Sequence, residues 1–246
     1  MHRFFIKKQN IFGDVITVSG DDVQHISKVL RLQIGDKIVL CDGDGTDYIT
    51  AIKSMDKHFI RTSVIGKEES KGEPDIDVVL YQGIPKSTKM DLIIQKCTEM
   101  GIKRIVPVST ARTVVRLESE KDERKKVERW TKIAEEAAKQ SSRGIIPAID
   151  MPMTLHQALM DAAKLDFVIV PYELEDSFSI KEALGKGGGS SIGFFIGPEG
   201  GFDDHEIEEA KKTGAVPVTL GSRILRTETA GIAVLTSIMY EYDQMK

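Results

Sequence analysis

Cysteine is scarce in this 246-residue chain: Cys41 and Cys97 are its only two. They fall in different candidate elements, so neither a disulfide framework nor a cysteine metal cluster is expected, and both read as buried thiols. His2, His25, His58, His156 and His205 show no metal-ligand spacing, so no metal is expected either. No run of ~18 apolar residues could span a bilayer. The start, Met1-His2-Arg3-Phe4-Phe5-Ile6-Lys7, turns charged too soon for a secretory leader. The expectation is a soluble, cytoplasmic protein with no membrane partner. Internal repeats are absent. Gly185-Lys186-Gly187-Gly188-Gly189-Ser190 lacks the spacing of a phosphate-binding loop or a dinucleotide fingerprint, and reads as a flexible loop. Asp42-Gly43-Asp44-Gly45-Thr46-Asp47 lacks the closing Glu of a calcium loop and reads as a hairpin turn.

What is present is an ordinary globular composition, 41% hydrophobic and 29% charged. The net charge of −4 speaks against a nucleic-acid partner, but the charges are unevenly placed. Residues 1–70 carry 10 basic and 10 acidic side chains, residues 86–143 carry 15 and 9, and residues 144–246 carry 8 and 16. A basic block therefore sits in the middle of an otherwise acidic chain. Within it the helix from Ser119 alternates Lys and Arg with Glu and Asp, which is the pattern of a solvated face.

Two domains are expected. Short β-segments at 3–6, 14–18, 37–40, 47–54 and 59–65 surround one helix at 23–30, which suggests a small barrel-like domain over residues 1–70. The small and charged residues from Gly66 to Pro74 read as a linker. Over residues 74–246 strands alternate with helices. Strands are expected at 78–82, 104–108, 166–170, 192–196 and 216–220. Helices are expected at 87–100, 119–140, 155–163, 204–212 and 229–242. This alternation indicates an α/β domain with a mostly parallel sheet. Gly101 and Gly214 fit helix C-termini, Thr154 with Gln157 fits a capping box, and Asp203 or Asp204 fits a helix start. The apolar residues Ile232, Ala233, Leu235, Ile238, Met239 and Tyr240 surround much of the last helix, as in a buried one.

Two loops leave a strand and enter a helix. Ile196-Gly197-Pro198-Glu199-Gly200-Gly201 is placed where open α/β sheets bind ligands, and its glycines let backbone approach a ligand closely. By itself it is equally a tight turn. Leu220-Gly221-Ser222-Arg223-Ile224-Leu225-Arg226-Thr227-Glu228-Thr229-Ala230 brings Arg226 and Glu228 to a helix N-terminus, where free N–H donors gather. Alone, that charged pair is equally a surface ion pair.

These two segments closely resemble the RsmE family of SPOUT RNA methyltransferases. The likeness extends to Met1–Phe5, to His25-Ile26-Ser27-Lys28-Val29-Leu30-Arg31, to Lys89-Met90-Asp91, to Gln95–Gly101, and to Gln140-Ser141-Ser142-Arg143 before Pro147. It implies a PUA-like N-terminal β-barrel domain and a C-terminal α/β domain threaded as a trefoil knot, a topology that connection rules alone would discard. It further implies a homodimer that transfers methyl from S-adenosyl-L-methionine to N3 of a uridine in 16S ribosomal RNA within the small ribosomal subunit. The cofactor residues it implies are Val170, Pro171 and Tyr172; Ile196, Gly197, Pro198, Glu199, Gly200 and Gly201; and Leu220, Gly221, Ile224, Leu225, Thr229 and Ala230. RNA contacts are expected from Arg3, Arg31, Lys86, Lys89, Arg112, Arg116 and Arg143. Where the family often reads Glu-Gln-Ser-Gly-Arg, this chain has Lys139-Gln140-Ser141-Ser142-Arg143.

Methyl transfer from a sulfonium mainly requires alignment, whereas a protonated uracil N3 is a poor nucleophile. Arg226 is therefore expected to orient or stabilise the uracil, and Glu228 either to hold Arg226 or to accept the proton. Two alternatives stay open: a methyltransferase of the same fold acting on a ribose 2′-hydroxyl, and a non-catalytic RNA-binding protein.

Overall fold

Alternating apolar and polar residues between Arg3 and Glu69 form β1 (Arg3–Phe5), β2 (Ile11–Phe12), β3 (Val15–Ser19), β4 (Lys37–Cys41), β5 (Thr46–Met55) and β6 (Phe59–Glu69). The computed structural model, which describes residues 1–115 and 119–245, orders them β1-β4-β5-β6-β3-β2. All pairs are antiparallel except β1 with β4. Between β3 and β4 lies α1 (Asp21–Gln24), which continues as one π turn over His25–Val29. Inward positions of the sheet and this helix share one core that includes Phe4, Ile16, Val18, Ile26, Leu40 and Ile60. The segment expected to be linker from Gly66 is strand as far as Glu69. Its exposed residues pair with Thr46–Ile49, because ladder hydrogen bonds need no apolar side chains. Asp42 makes the β4–β5 turn by accepting N–H bonds from Asp44 and Thr46 on Oδ1.

The chain forms two compact units, Met1–Glu73 with Ala138–Ile146, and Pro74–Ala137 with Pro147–Lys246. Residues 138–146 thus fold with the first unit, although they lie within the span expected to form the second domain. Arg143 explains their attachment. Only 2% exposed, it donates from Nη2 to Glu73 Oε2 at 2.6 Å, while Glu73 Oε1 accepts the N–H groups of Gly144 and Ile145. Arg3 is also internal, with both terminal nitrogens on the Asp47 carboxylate at 2.5 and 2.6 Å.

The second unit contains β7 (Asp77–Gly83), β8 (Arg104–Ser109), β9 (Ala148–Ile149), β10 (Met153–Thr154), β11 (Phe167–Pro171), β12 (Ser191–Ile196) and β13 (Val216–Val218). They form one parallel sheet in the order β10-β8-β7-β12-β11-β13, with β9 beside β8. Near-continuous apolar runs such as those of β7 and β12 are what a sheet covered on both faces requires. Helices α4 (Leu155–Ala162) and α6 (Asp204–Lys212) share a core with Tyr81 and Phe195, whose rings stack at 4.5 Å. Helix α7 (Thr227–Glu241) packs against β7, β12 and α2 (Lys89–Glu99), and α3 (Glu120–Gln140) connects β8 to the returning chain.

Complete capping boxes start α4 at Thr154 with Gln157 and α6 at Asp203 with Glu206. A third, Ser179 with Glu182, starts α5 (Ile180–Lys186), so Gly185 and Lys186 are helical where a flexible loop was expected. Helix α7 begins two residues earlier than expected and buries Val234, Leu235, Ile238 and Met239, but it leaves Tyr240 exposed. None of the helices among the described residues is long and apolar enough to cross a membrane.

Candidate active site

A parallel sheet presents its ligand-binding crevice at the carboxyl ends of its strands, where the strand order reverses. Here β12 lies between β7 and β11, strands that come before it in the chain. The loops leaving β11, β12 and β13 meet at that point and enclose a cavity of about 690 Å³. Pro171 and Tyr172 form one wall, Ile196–Gly201 a second, and Leu220, Gly221, Ile224 and Leu225 with Ala230 a third. Two residues expected at the site are not part of this lining: Val170, whose side chain is in the core at 1% exposure and whose expected contact is through backbone, and Thr229, exposed on α7.

Close backbone packing shapes the second wall. A Cβ on Gly83 would stand 2.6 Å from Pro198 Cδ, and one on Gly197 would stand 3.0 Å from the backbone of Gly201. Gly201 itself has φ +68°, and a Cβ there would come within 2.7 Å of the Glu173 carboxylate. Glu173, Glu175 and Asp176 make this side of the cavity acidic, a feature the sequence reading did not single out. Hydrogen bonds from Ser177 and the Phe178 N–H hold the Glu175 carboxyl below the usual glutamate range. Tyr172 donates to Asp204 at 2.5 Å, and this bond to a carboxylate raises the phenol to about 12.

Arg226 is the N-cap of α7, exposed and lining the cavity, with no side-chain cap bond. Its guanidinium has no hydrogen bond or ion pair among the described residues. Glu228, in the first turn of α7, does not hold Arg226. Its Oε2 lies 3.8 Å from Lys89 Nζ and is buried without a hydrogen bond among the described residues. Lys89 also bonds Glu199 Oε1 at 2.8 Å, so it is engaged at the cavity wall and is not a free RNA contact. Burial pulls the Glu199 carboxyl upward, but bonds from Lys89 and the Lys86 N–H outweigh it and hold the group below its ordinary range.

The remaining cations separate by exposure. Lys86 and Arg31 are exposed. Arg112, half exposed, donates to Gly200 O at 2.7 Å and so braces the second wall. Arg116 lies outside the described residues. Arg3 and Arg143 spend their charge on internal carboxylates, which corrects their expected role at an RNA surface.

The whole of the second sheet and its loops falls inside a match, over residues 72–239, to the model of the RNA methyltransferase domain. Residues 18–65 match the RNA methyltransferase PUA domain. The ribosomal RNA small subunit methyltransferase E of Bacillus subtilis (strain 168) is 36% identical over 100% of this chain and 99% of its own length. That of Mesomycoplasma hyopneumoniae (strain 232) is 31% identical over 96% and 98%. Among solved structures, a ribosomal RNA small subunit methyltransferase E from Neisseria gonorrhoeae bound to S-adenosyl methionine superposes with a TM-score of 0.87 at 28% identity, covering 98% of this chain and 97% of that one. A putative methyltransferase from Legionella pneumophila in complex with the same cofactor gives 0.86 at 28% identity, over 97% and 96%. With both domains matched in order and relatives aligned end to end, the chain belongs to the RNA methyltransferase family that includes the ribosomal RNA small subunit methyltransferases E.

Proposed function

We propose that this chain transfers the methyl group of S-adenosyl-L-methionine to N3 of a uridine in the RNA of the small ribosomal subunit. One observation carries the reading: Arg226, unpaired among the described residues, stands at the uncapped start of α7 on the rim of a three-loop cavity. The cavity volume of about 690 Å³ is within the ~300–1,000 Å³ common for small-molecule sites. Its chemistry also suits the cofactor. Glu173 and Asp176 offer negative charge to a ligand that carries a sulfonium and an ammonium, and Gly197, Gly200 and Gly201 admit it close to backbone. When bound, the cofactor supplies an electrophilic methyl group.

The protein's own task is to align and deprotonate the acceptor. A uracil ring that loses its N3 proton gains negative charge, and a positioned guanidinium stabilises that charge. Arg226 takes this role. Glu228, in the first turn of α7 two residues beyond Arg226 and charge-balanced by Lys89, is the proton acceptor in this reading. Exposed Lys86, Arg112 and Arg31 supply phosphate contacts. The family likeness carries two further parts of the reading, a homodimer and a cytoplasmic location. Light scattering that returned the mass of one chain at micromolar concentration would count against the dimer.

The test is transfer of labelled methyl from S-adenosylmethionine into small subunits and into naked RNA, followed by nucleotide mapping. The expected result is label on one uracil base. Label on a ribose would replace N3 with the 2′-hydroxyl, and no cofactor binding by calorimetry would leave only an RNA-binding protein.

A further inference from the structure

Beneath the cavity two buried polar side chains bond in sequence. Gln82, with no exposed surface, donates from Nε2 to Gly83 O at 3.0 Å and to Thr227 Oγ1 at 2.9 Å. Thr227, 7% exposed, donates its hydroxyl proton to Gly197 O at 2.6 Å. A hydroxyl has a single proton, so Thr227 can only accept from Gln82. The amide must therefore turn its NH₂ group toward Thr227. The consequence is visible on the other side, where Gln82 Oε1 is buried with no hydrogen-bond partner among the described residues. Turning the amide over would set its oxygen against Gly83 O and leave Thr227 with two acceptors to serve. The fold keeps an orphaned acceptor to preserve the direction of the chain of bonds.

This relay joins the end of β7, the second wall of the cavity and the first turn of α7. Thr227 directly follows Arg226, and α7 has no side-chain cap, whereas α4, α5 and α6 all have capping boxes. We propose that Gln82 and Thr227 are positioning residues. Their one-way relay fixes the Gly197 carbonyl and, through the start of α7, sets the place of Arg226 relative to the cofactor wall. This inference rests on the methyl-transfer reading of the same cavity.

Three variants test it: Thr227→Ser keeps the hydroxyl, Thr227→Val keeps the shape without it, and Gln82→Glu presents only acceptors to Thr227 when ionised. In cofactor-free protein, hydrogen exchange over residues 196–202 is expected to quicken in Thr227→Val and Gln82→Glu and to match the parent in Thr227→Ser. With cofactor and RNA, a displacement of about an ångström is expected to lower kcat about tenfold or more in Thr227→Val, with Thr227→Ser within about twofold of the parent. If Gln82→Glu does not fold, the Ser and Val pair carries the test. Equal exchange and equal kcat in Thr227→Ser and Thr227→Val would overturn the relay. A parent chain that binds no S-adenosylmethionine would overturn the methyl-transfer reading, and the exchange comparison would still decide whether the relay holds the wall.

Discussion

The Lys89 ammonium stands 2.8 Å from Glu199 Oε1, which ties the start of α2 to the loop after β12. Both side chains are 29% exposed, so the pair contributes only ~0–1 kcal/mol to stability, and its importance is positional. Lys89→Met removes the charge that faces both Glu199 and Glu228 and is expected to weaken cofactor binding or turnover about tenfold, as misplacement of a wall does. Stability against pH gives an independent check. Because the folded-state value of Glu199 is depressed, its contribution is present above the ordinary glutamate pKa and is lost as pH falls through the depressed value. Urea unfolding between pH 7 and pH 3 should show a smaller acid loss in Lys89→Met than in the parent, and identical slopes would refute the assignment.

Arg226 makes the opposite prediction for stability. Its guanidinium has no partner among the described residues, so Arg226→Ala should leave thermal unfolding within the roughly ±0.5 kcal/mol of an ordinary surface substitution. Loss of a charge-stabilising donor typically lowers kcat by about 10²–10³. Steady-state kinetics with saturating cofactor would measure it. Normal turnover in folded Arg226→Ala would remove this residue from the mechanism.

Ser142 has φ +62°, a left-handed conformation that places it just after the end of α3, with Arg143 N–H bonding Ala138 O at 3.0 Å. Glycine would adopt this conformation at less cost, because a Cβ in this region costs ~1–2 kcal/mol. The Ser142 side chain is exposed, so its removal sacrifices no packing. Ser142→Gly is expected to stabilise the protein by ~0.5–1 kcal/mol after the extra backbone entropy of glycine in the unfolded chain is subtracted. A denaturant midpoint that falls would contradict this.

The parts of the site legible in the sequence were those written locally. An apolar strand followed by Gly197-Pro198-Glu199-Gly200-Gly201 announces a strand-to-helix loop at a ligand-binding edge, and Arg226 falls just before the long apolar segment that forms the last helix. Gln82 was not legible, because its partner Thr227 is 145 residues away and only the return of β12 beside β7 brings them together. The same holds for the acidic wall, which reads as ordinary loop composition until Glu173 is seen against Gly201. The RNA contacts expected of Arg3 and Arg143 failed for a related reason. A count of cations cannot distinguish a side chain facing solvent from one neutralised inside by Asp47 or Glu73. Helix α5, by contrast, is readable from Ser179 and Glu182, although Gly185 within it and Gly187, Gly188 and Gly189 after it have the composition of a loop.

Arg143 gives the sharpest way to separate a structural cation from an RNA-binding one. Breaking a buried pair from one side leaves an uncompensated charge and commonly costs ~3–5 kcal/mol. Arg143→Met should therefore destabilise the first unit strongly in urea unfolding, because Glu73, only 16% exposed, is left without its charge partner. Glu73→Gln added to Arg143→Met should recover part of the loss, since the amide oxygen can still accept the N–H groups of Gly144 and Ile145 while the stranded charge is gone. RNA affinity, measured per folded molecule, should be unchanged in Arg143→Met. Exposed Lys86 predicts the reverse pattern, with unchanged stability in Lys86→Ala but weaker binding and a shallower salt dependence, by about one unit for each phosphate contact removed. If Arg143→Met instead lost RNA affinity at unchanged stability, the buried pair with Glu73 would not be its purpose.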